Sequence, residues 1–378
     1  MMTDDYHSVG GYTVHVVGDV LGSPPQTLRQ FVCGRRLMIV TTPTVASLYN
    51  GLSNFLADSA ASVHFEILAI SERDKSMDAV LHLCRAAQGA GMGRHDAIIA
   101  VGGGVCSDVV RMAAALLHRG VAHALLPTTL IGQMDAGIGV KAGLNFGDSK
   151  SFLGVFRPPD AVFVEPRFLA TLAPVHLRDG LAEVLKLAIV LERSLFELVE
   201  KHAAELVASG FQRPRDVGLH VLHRAIALTQ AELDLDLYEK GSLRRLLDFG
   251  HTFSPLIEQL SGFSVSHGKA VMIDICLSAA LAVELELLNE ADFARIVILA
   301  QRLQLPTSHS CLDICAMEEA ITVAIRRRAG ALNLVLPRGL GDGCFVERDR
   351  LEPPVMARAL ARLARADRQS QELQIVAA

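Results

Sequence analysis

The chain has 378 residues, of which 51% are apolar and 20% charged, with 30 Gly and 14 Pro. At roughly 150 residues per domain this is the length of two domains with sizeable cores, and the composition excludes a disordered, collagenous or low-complexity chain. Lys and Arg number 36 against 41 Asp and Glu, a net charge of −5 with no long basic run, which argues against nucleic acid as a partner.

The acidic start, Met1-Met2-Thr3-Asp4-Asp5, lacks the apolar segment of a secretory signal. Over the first 165 residues, β-branched runs alternate with helical patterns, as in a parallel sheet wrapped by helices. Strands are predicted at Tyr12–Val17, Arg36–Thr41, Val63–Ile70, Ala97–Val101, Ala122–Leu126 and Ala161–Val164. Helices are predicted at Val45–Ala57, Ser76–Ala90 and Ser107–Leu117, from apolar spacings of three and four. Past Glu165 the β-branched alternation fades, and Pro174, Pro214, Pro255 and Pro306 punctuate long Ala/Leu/Glu-rich helical segments. A short extended piece at Leu332–Leu336 precedes an Arg-rich helix from about Pro354 to Gln369. The expected division is therefore an α/β domain over 1–170 and a helical domain over 171–378, joined by a packed hinge. Ala270–Leu288 is interrupted by Asp274, Glu284 and Glu286, too charged for a membrane span. The seven scattered cysteines read as free thiols of a reducing, cytoplasmic compartment.

Three stretches carry chemistry. Val101-Gly102-Gly103-Gly104-Val105 ends a strand and opens a helix, where glycines let the backbone approach a diphosphate at the helix N-terminus. It lacks the Gly-x-Gly-x-x-Gly spacing of the usual dinucleotide fingerprint, so from this motif alone an ordinary strand-to-helix turn is the favoured reading. Asp108 lies in the first turn beyond it. Pro127-Thr128-Thr129-Leu130 ends another strand, followed by Asp135, Lys141 and Lys150 in and around a Gly-rich stretch, Gly137–Gly147, expected to be weakly structured. The two lysines, with Arg119, are suited to neutralising a substrate phosphate; a solvated loop is the plainer alternative. Glu183 and Lys186 share a helical face, and His251 and His267 each sit near a helix start. One carboxylate and two imidazoles make an open zinc-type site, although lone histidines are more often surface or core residues.

Together, Gly-Gly-Gly-Val with Asp108, Arg119-Gly120, Pro127–Leu130, Asp135 with Lys141, Gly180-Leu-Ala-Glu-Val-Leu-Lys186, Phe249-Gly-His-Thr-Phe253 and His267-Gly268 resemble the dehydroquinate synthase superfamily of sugar phosphate cyclases. The resemblance implies an NAD-binding Rossmann-like domain, an all-α metal-binding domain and a homodimer. It puts a divalent metal, zinc or cobalt, on Glu183, His251 and His267. It puts NAD on Glu72, Lys75, Gly103, Gly104, Val105, Asp108, Thr128, Thr129 and Lys150. Catalytic roles fall to Asp135, Lys141, Lys186 and Asp248, and contacts to the sugar phosphate or its phosphate to Arg119, Lys141, Ser151 and Arg244, with Arg119 reaching into the partner subunit.

Within the superfamily, dehydroquinate synthases typically show Asn where this chain has Asp248 and His where it has Pro255. The Asp and Pro combination resembles the cyclases of sedoheptulose 7-phosphate, the 2-epi-5-epi-valiolone synthases first and the 2-epi-valiolone and desmethyl-4-deoxygadusol synthases beside them. A substrate without a carboxylate needs fewer cationic partners, and Gln230, where the shikimate enzyme usually places a lysine, agrees. The alternatives are 3-dehydroquinate synthase, a glycerol dehydrogenase-like oxidoreductase of the same fold, and a non-catalytic scaffold. The departures Thr42, Ser151, Arg111, Lys269 and the run Arg326-Arg327-Arg328 stand outside the family pattern.

Overall fold

A computed structural model of the chain describes residues 4–147, 149–241 and 243–377; Met1 to Thr3 of the acidic start lie outside them. The fold separates into two units that interleave in sequence. The first comprises Met1–Leu177, Ser209–Arg215 and Thr229–Tyr238; the second comprises Arg178–Ala208, Asp216–Leu228 and Glu239–Ala378.

The first unit opens with β1 (Asp4–His7), β2 (Thr13–Val16), α1 (Gln26–Val32), β3 (Arg36–Thr41) and α2 (Pro43–Leu48). It continues with β4 (Ser62–Ile67), α3 (Met77–Gly89), β5 (Ala97–Gly102) and α4 (Gly104–Leu116). Then follow β6 (Ala122–Pro127), β7 (Lys141–Phe146), β8 (Ser149–Phe156) and β9 (Ala161–Val164). Seven strands form one sheet in the order β1-β2-β9-β6-β5-β3-β4, in which only β1 runs antiparallel to its neighbour. A parallel sheet must be covered on both faces, and the near-continuous apolar strands reflect this. Ile39, Ile99, Val101, Leu126 and Phe163 pack with Leu28, Val32 and Val45 of α1 and α2 on one side. Met38, Val40, Ile98, Ala100 and Leu125 are equally buried, and α4 packs on β5 and β6.

Several sequence expectations change here. Val45–Ala57 is not one helix: α2 stops at Leu48 and a 3₁₀ turn follows at Asn50–Asn54, because Asn50-Gly51 is a turn dipeptide that helical periodicity overlooks. The stretch Gly137–Gly147 is not weakly structured. It holds β7, paired antiparallel with β8 from Lys141↔Phe156 to Phe146↔Ser149. Ala142 and Leu144 alternate inward there while Lys141 and Phe146 face out, and the hairpin packs on α4. Of the glycines that read as flexibility, Gly143 serves close approach, since a Cβ on it would lie 2.8 Å from the Ser151 Oγ, and across the hairpin one on Gly154 would lie 2.8 Å from the Ala142 carbonyl oxygen.

The later elements are α5 (Pro174–Leu191), α6 (Arg193–Ala208), α7 (Arg215–Leu235), α8 (Ser254–Leu260), α9 (His267–Glu284), α10 (Glu290–Arg302) and α11 (Ile314–Arg327). A hairpin of β10 (Leu334–Gly339) and β11 (Asp342–Val346) and the helix α12 (Pro353–Ala377) complete the chain. In the second unit α9 is buried on nearly every side, from Ala270 to Ala282, with α8, α10, α12 and β10 around it. A helix that is apolar all round belongs at the centre of such a bundle, and no helix among the described residues is long and apolar enough to cross a membrane.

The charge inside α9, Asp274, is fully buried and has a defined task. Its Oδ2 accepts the backbone N–H groups of Phe253 at 2.5 Å and Ser254 at 2.9 Å, and its Oδ1 accepts the Ser278 hydroxyl at 3.0 Å. Burial pushes its carboxyl up to about 6, against the lowering effect of these donors. Asp274 thereby ties the start of α8 to the central helix. Asp274→Ala leaves two buried backbone N–H groups and the Ser278 hydroxyl without this partner, a loss of about 2–4 kcal/mol, and is expected to lower the melting temperature by about 5–10 °C. Asp274→Asn, which keeps an oxygen for both N–H groups, is expected to lose less than half of that in the same thermal melts.

Candidate functional site

In the second unit α5 places Glu183 and Lys186 one turn apart, both buried. His267 is the first residue of α9, after Ser266 in extended conformation at the N-cap. What brings them together is the residue between α9 and α5. A Cβ on Gly268 would lie 2.3 Å from the Asp179 Cα, so only glycine lets the start of α9 rest on the α5 backbone. Ser266 completes the contact by donating to the Asp179 carboxylate at 2.8 Å. His251 arrives from the segment between the 3₁₀ turn Leu246–Asp248 and α8, after Gly250 at φ +73, where an added Cβ would crowd Ile275 and Val271 at 3.0 and 3.1 Å.

The ring orientations are set from behind. His267 Nδ1 donates to Glu258 Oε1 at 3.0 Å, and His251 Nδ1 to the Phe249 carbonyl at 3.0 Å. Each Nε2 then faces the carboxylate, 3.0 Å (His267) and 3.6 Å (His251) from Glu183 Oε1, and offers a lone pair whenever its ring is neutral. One ligand atom from each residue falls within 4.8 Å of the others. The Glu183 carboxylate is wholly buried, and neither oxygen has a hydrogen bond of good geometry, although Lys186 Nζ stands 2.7 Å from Oε2. Burial would raise its pKa, but Lys186, His251 and His267 hold it well below the carboxylate range. Burial alone would lower His267; its bonds to Glu183 and Glu258 push it up to about 9. A buried anion with two imidazole nitrogens turned toward it attracts positive charge: the raised His267 holds a proton there, and a divalent metal that displaces it fits this donor set, with the Glu258 and Phe249 acceptors as the supports that metal-bound histidines use. Sequence reasoning missed Glu258 and Asp179, which lie seven residues after His251 and four before Glu183 and carry no motif of their own; the Ser266-His267-Gly268 triplet was the available signal.

Asp248, expected in a catalytic role, is held between two arginines. Its Oδ1 accepts Arg245 at 2.8 Å and its Oδ2 accepts Arg328 at 3.1 Å, while Arg245 also pairs with Glu239. It is a clamp beneath the His251 segment, whose N–H meets the Asp248 carbonyl at 3.0 Å. The run Arg326-Arg327-Arg328 divides accordingly: Arg328 turns inward, whereas Arg326 and Arg327 are exposed. Arg244 lies over the Phe345 ring at 4.7 Å. Pro255 occupies the first turn of α8, where the missing N–H is harmless. Lys269 follows in the first turn of α9.

In the first unit the C-terminal edge of the sheet gathers most of the residues expected at a dinucleotide. Gly103 caps α4, with Gly104, Val105 and Asp108 in the helix beyond it. Glycine is required, since a Cβ on Gly102 would stand 2.9 Å from the Cys106 Cβ and one on Gly103 would stand 3.1 Å from Thr129. Thr128 donates its N–H to the Gly102 carbonyl at 3.0 Å. Lys75 is buried between Glu72 and Asp108, 3.1 Å from each. Burial would depress it, but Asp108 and Glu72 raise it. Asn145 of β7 holds the Glu72 and Lys75 carbonyls, at 2.7 Å each.

Asp135 sits in a single π-helical turn, Gly132–Ala136, after β6. Lys141 begins β7, whereas Lys150 and Ser151 lie on β8 opposite its other end. The two lysines are therefore about 13 Å apart along the hairpin and do not share one contact point at the backbone. Ser151, at φ +50, donates its N–H to Asn145. Arg111, fully buried, donates to the Lys141 carbonyl. Thr42 follows β3 as the N-cap of α2, without a side-chain capping bond, and Gln230 is buried with both amide atoms lacking a hydrogen-bond partner. Arg119 lies exposed in the 3₁₀ turn after α4, at the opposite edge of the sheet from Gly103.

Comparison with known proteins accords with this geometry. The family models described as 3-dehydroquinate synthase N-terminal and 3-dehydroquinate synthase C-terminal match residues 66–179 and 180–325. The 2-epi-5-epi-valiolone synthase of Streptomyces hygroscopicus subsp. jinggangensis (strain 5008) is 41% identical over 340 residues, 88% of this chain and 81% of its own. The 3-dehydroquinate synthase of Thermoanaerobacter pseudethanolicus is 32% identical over 332 residues, 87% of this chain and 92% of its own. The solved structure of 2-epi-5-epi-valiolone synthase from S. hygroscopicus subsp. jinggangensis 5008, with NAD+ and Zn2+ bound, matches with a TM-score of 0.88 at 38% identity, over 94% of this chain and 97% of that one. With both family models matched in order and relatives of this identity spanning most of its length, the chain belongs to the 3-dehydroquinate synthase family.

Proposed function

We propose that the chain is an NAD- and divalent-metal-dependent sugar phosphate cyclase that converts sedoheptulose 7-phosphate to 2-epi-5-epi-valiolone with loss of phosphate. The observation that carries this reading is the 41% identity, over 88% of the chain, to a 2-epi-5-epi-valiolone synthase, in a protein whose Glu183, His251 and His267 remain grouped for a metal. The same reading makes it a carbon–oxygen lyase acting as a cytoplasmic homodimer.

When bound, the metal polarises a substrate hydroxyl and NAD takes up and later returns a hydride, so no NADH accumulates. The chain's own residues organise the rest. Glu183 and the two Nε2 atoms would hold the metal. Lys186, buried beside Glu183, supplies fixed positive charge for a substrate oxygen. The Gly103–Gly104 turn and the N-terminus of α4 receive the dinucleotide diphosphate, with Glu72, Lys75, Asp108, Thr128, Thr129 and Lys150 around it. Asp135 and Lys141 orient the sugar hydroxyls, and Ser151, Arg244 and Arg119, the last from the partner subunit, contact the substrate or its phosphate.

The choice of substrate rests on Pro255. A proline in the first turn of α8 offers no donor where the dehydroquinate synthases place an imidazole, while Asp248 is already committed to Arg245 and Arg328.

Purified protein with NAD and zinc or cobalt is expected to release phosphate from sedoheptulose 7-phosphate, forming a cyclitol ketone by NMR. Release from 3-deoxy-arabino-heptulosonate 7-phosphate alone would make it a 3-dehydroquinate synthase instead. Pro255→His is expected to lower kcat/KM for the heptulose phosphate by about tenfold or more without loss of bound metal; unchanged kcat/KM would remove the basis for reading specificity at this position. His267→Ala is expected to abolish stoichiometric zinc retention, and Glu258→Gln to weaken zinc affinity by about 10–100-fold, both measured by competition with a chromophoric chelator.

A further inference from the structure

We propose that the N-terminal edge of the seven-stranded sheet carries a second anion site, shaped by Arg35, Arg94 and Arg157 for a compact phosphate-type polyanion. In a parallel sheet all strand starts lie on one edge. The residues preceding β3, β5, β6 and β9 meet there around a cavity of about 530 Å³, whose walls include these three arginines, His95, Asp96 and Asp160. The glycine turn and Thr128 lie at the other ends of β5 and β6, about 20 Å away at the rise of a six-residue strand. A ligand in the cavity would therefore not compete with the dinucleotide edge, where α/β sheets ordinarily bind.

Arginines at this edge could simply serve the C-termini of α1, α3 and α4, which end here. At α3 that task falls to Arg36, outside the cavity, which donates to the Gly91 carbonyl just past the helix. Among the described residues Arg94 has no hydrogen-bond or ion-pair partner, and Arg35 has only its stacking on Phe31, 5.3 Å from the ring centre. Arg157 donates one Nη2 bond to the Val121 carbonyl at 3.1 Å and buries its Nε with no partner.

The two acids in the wall are spent on backbone donors. Asp96 accepts the N–H groups of Arg36 at 2.8 Å and Gly93 at 2.6 Å, and Asp160 accepts that of His123 at 2.9 Å. Behind the wall, His123 is fully buried, its Nδ1 3.9 Å from the Asp160 carboxylate and neither ring nitrogen hydrogen-bonded. Burial holds its pKa well below the usual range, and the nearby charges of Arg111 and Arg157 add to the effect. Forked guanidinium donors without carboxylate partners match phosphate oxygens. The apolar lining is limited to Val121, Ala122 and Cys33, too little to hold a base or an acyl chain, which favours a small polyanion.

The test is calorimetric titration of inorganic phosphate into the NAD- and zinc-loaded full chain, wild type against Arg35→Glu/Arg94→Glu. The wild type is expected to bind phosphate at one more site than the variant, with affinity at that site falling by about tenfold or more on charge reversal and weakening with added salt. Turnover and melting temperature are expected to stay unchanged, since neither arginine touches the catalytic machinery. Equal stoichiometry and affinity in the two proteins would overturn the proposal. So would a variant that binds phosphate normally but changes its oligomeric mass, which would assign the arginines to a second copy of the chain. The readout is phosphate stoichiometry, so it remains interpretable if the cyclase reading fails.

Discussion

A buried carboxylate without adequate donors organises the second unit. Glu183 is wholly enclosed by α5 and its neighbours, and an enclosed anion is unstable unless cations converge on it. Lys186 supplies one charge from the same helix. The rest of the compensation requires two histidines from separate segments to bring Nε2 to within 3.0 and 3.6 Å of one oxygen. That requirement explains features that otherwise look unrelated: the absent side chain at Gly268, the left-handed turn at Gly250, and the Asp274 bonds that anchor the start of α8 to α9. Each removes a degree of freedom from a ligand, and the ring partners Glu258 and Phe249 remove the last, the choice of tautomer.

The departures from the family pattern fit a similar logic of charge. An aspartate at position 248 would be an added negative charge beside the His251 segment, and Arg245 and Arg328 absorb it. Arg328 is thus the partner that makes the substitution tolerable, and the basic run around it is not one functional cluster. In the first unit Arg111 occupies a helix face where it ties α4, which carries Asp108, to the Lys141 backbone at the start of β7. Asn145 makes a parallel link from β7 to Glu72 and Lys75. The hairpin is thereby fastened at both ends to the elements that line the dinucleotide edge.

The sheet has two chemically different edges, and the difference follows from chain direction. At the C-terminal edge the start of α4 and the glycine turn present N–H groups and room for a diphosphate. At the N-terminal edge helices end rather than begin, so positive charge there has to come from side chains, and arginines provide it.

Much was legible in the linear chain. The alternation of β-branched and helical runs announced a parallel sheet with covering helices, because a strand buried on both faces must be apolar throughout. The order and spacing of the glycine turn, Glu183, His251 and His267 identified the family, since metal and diphosphate chemistry admit few residue types. Other features depended on proximity between residues distant in sequence. Nothing in the order of residues shows that Glu258 backs His267, that Arg328 meets Asp248, or that Gly268 rests on Asp179, because these pairs are separated by 9, 80 and 89 positions. The strand at Lys141–Phe146 was hidden for a related reason: Gly143 and the glycines around it, read locally, signal flexibility, and only pairing with β8 turns Gly143 into a point of close contact. Local chemistry is written in composition and spacing, whereas the tautomers, the clamp and the opposing charge of the sheet edges arise from contacts that exist only once the chain has closed on itself.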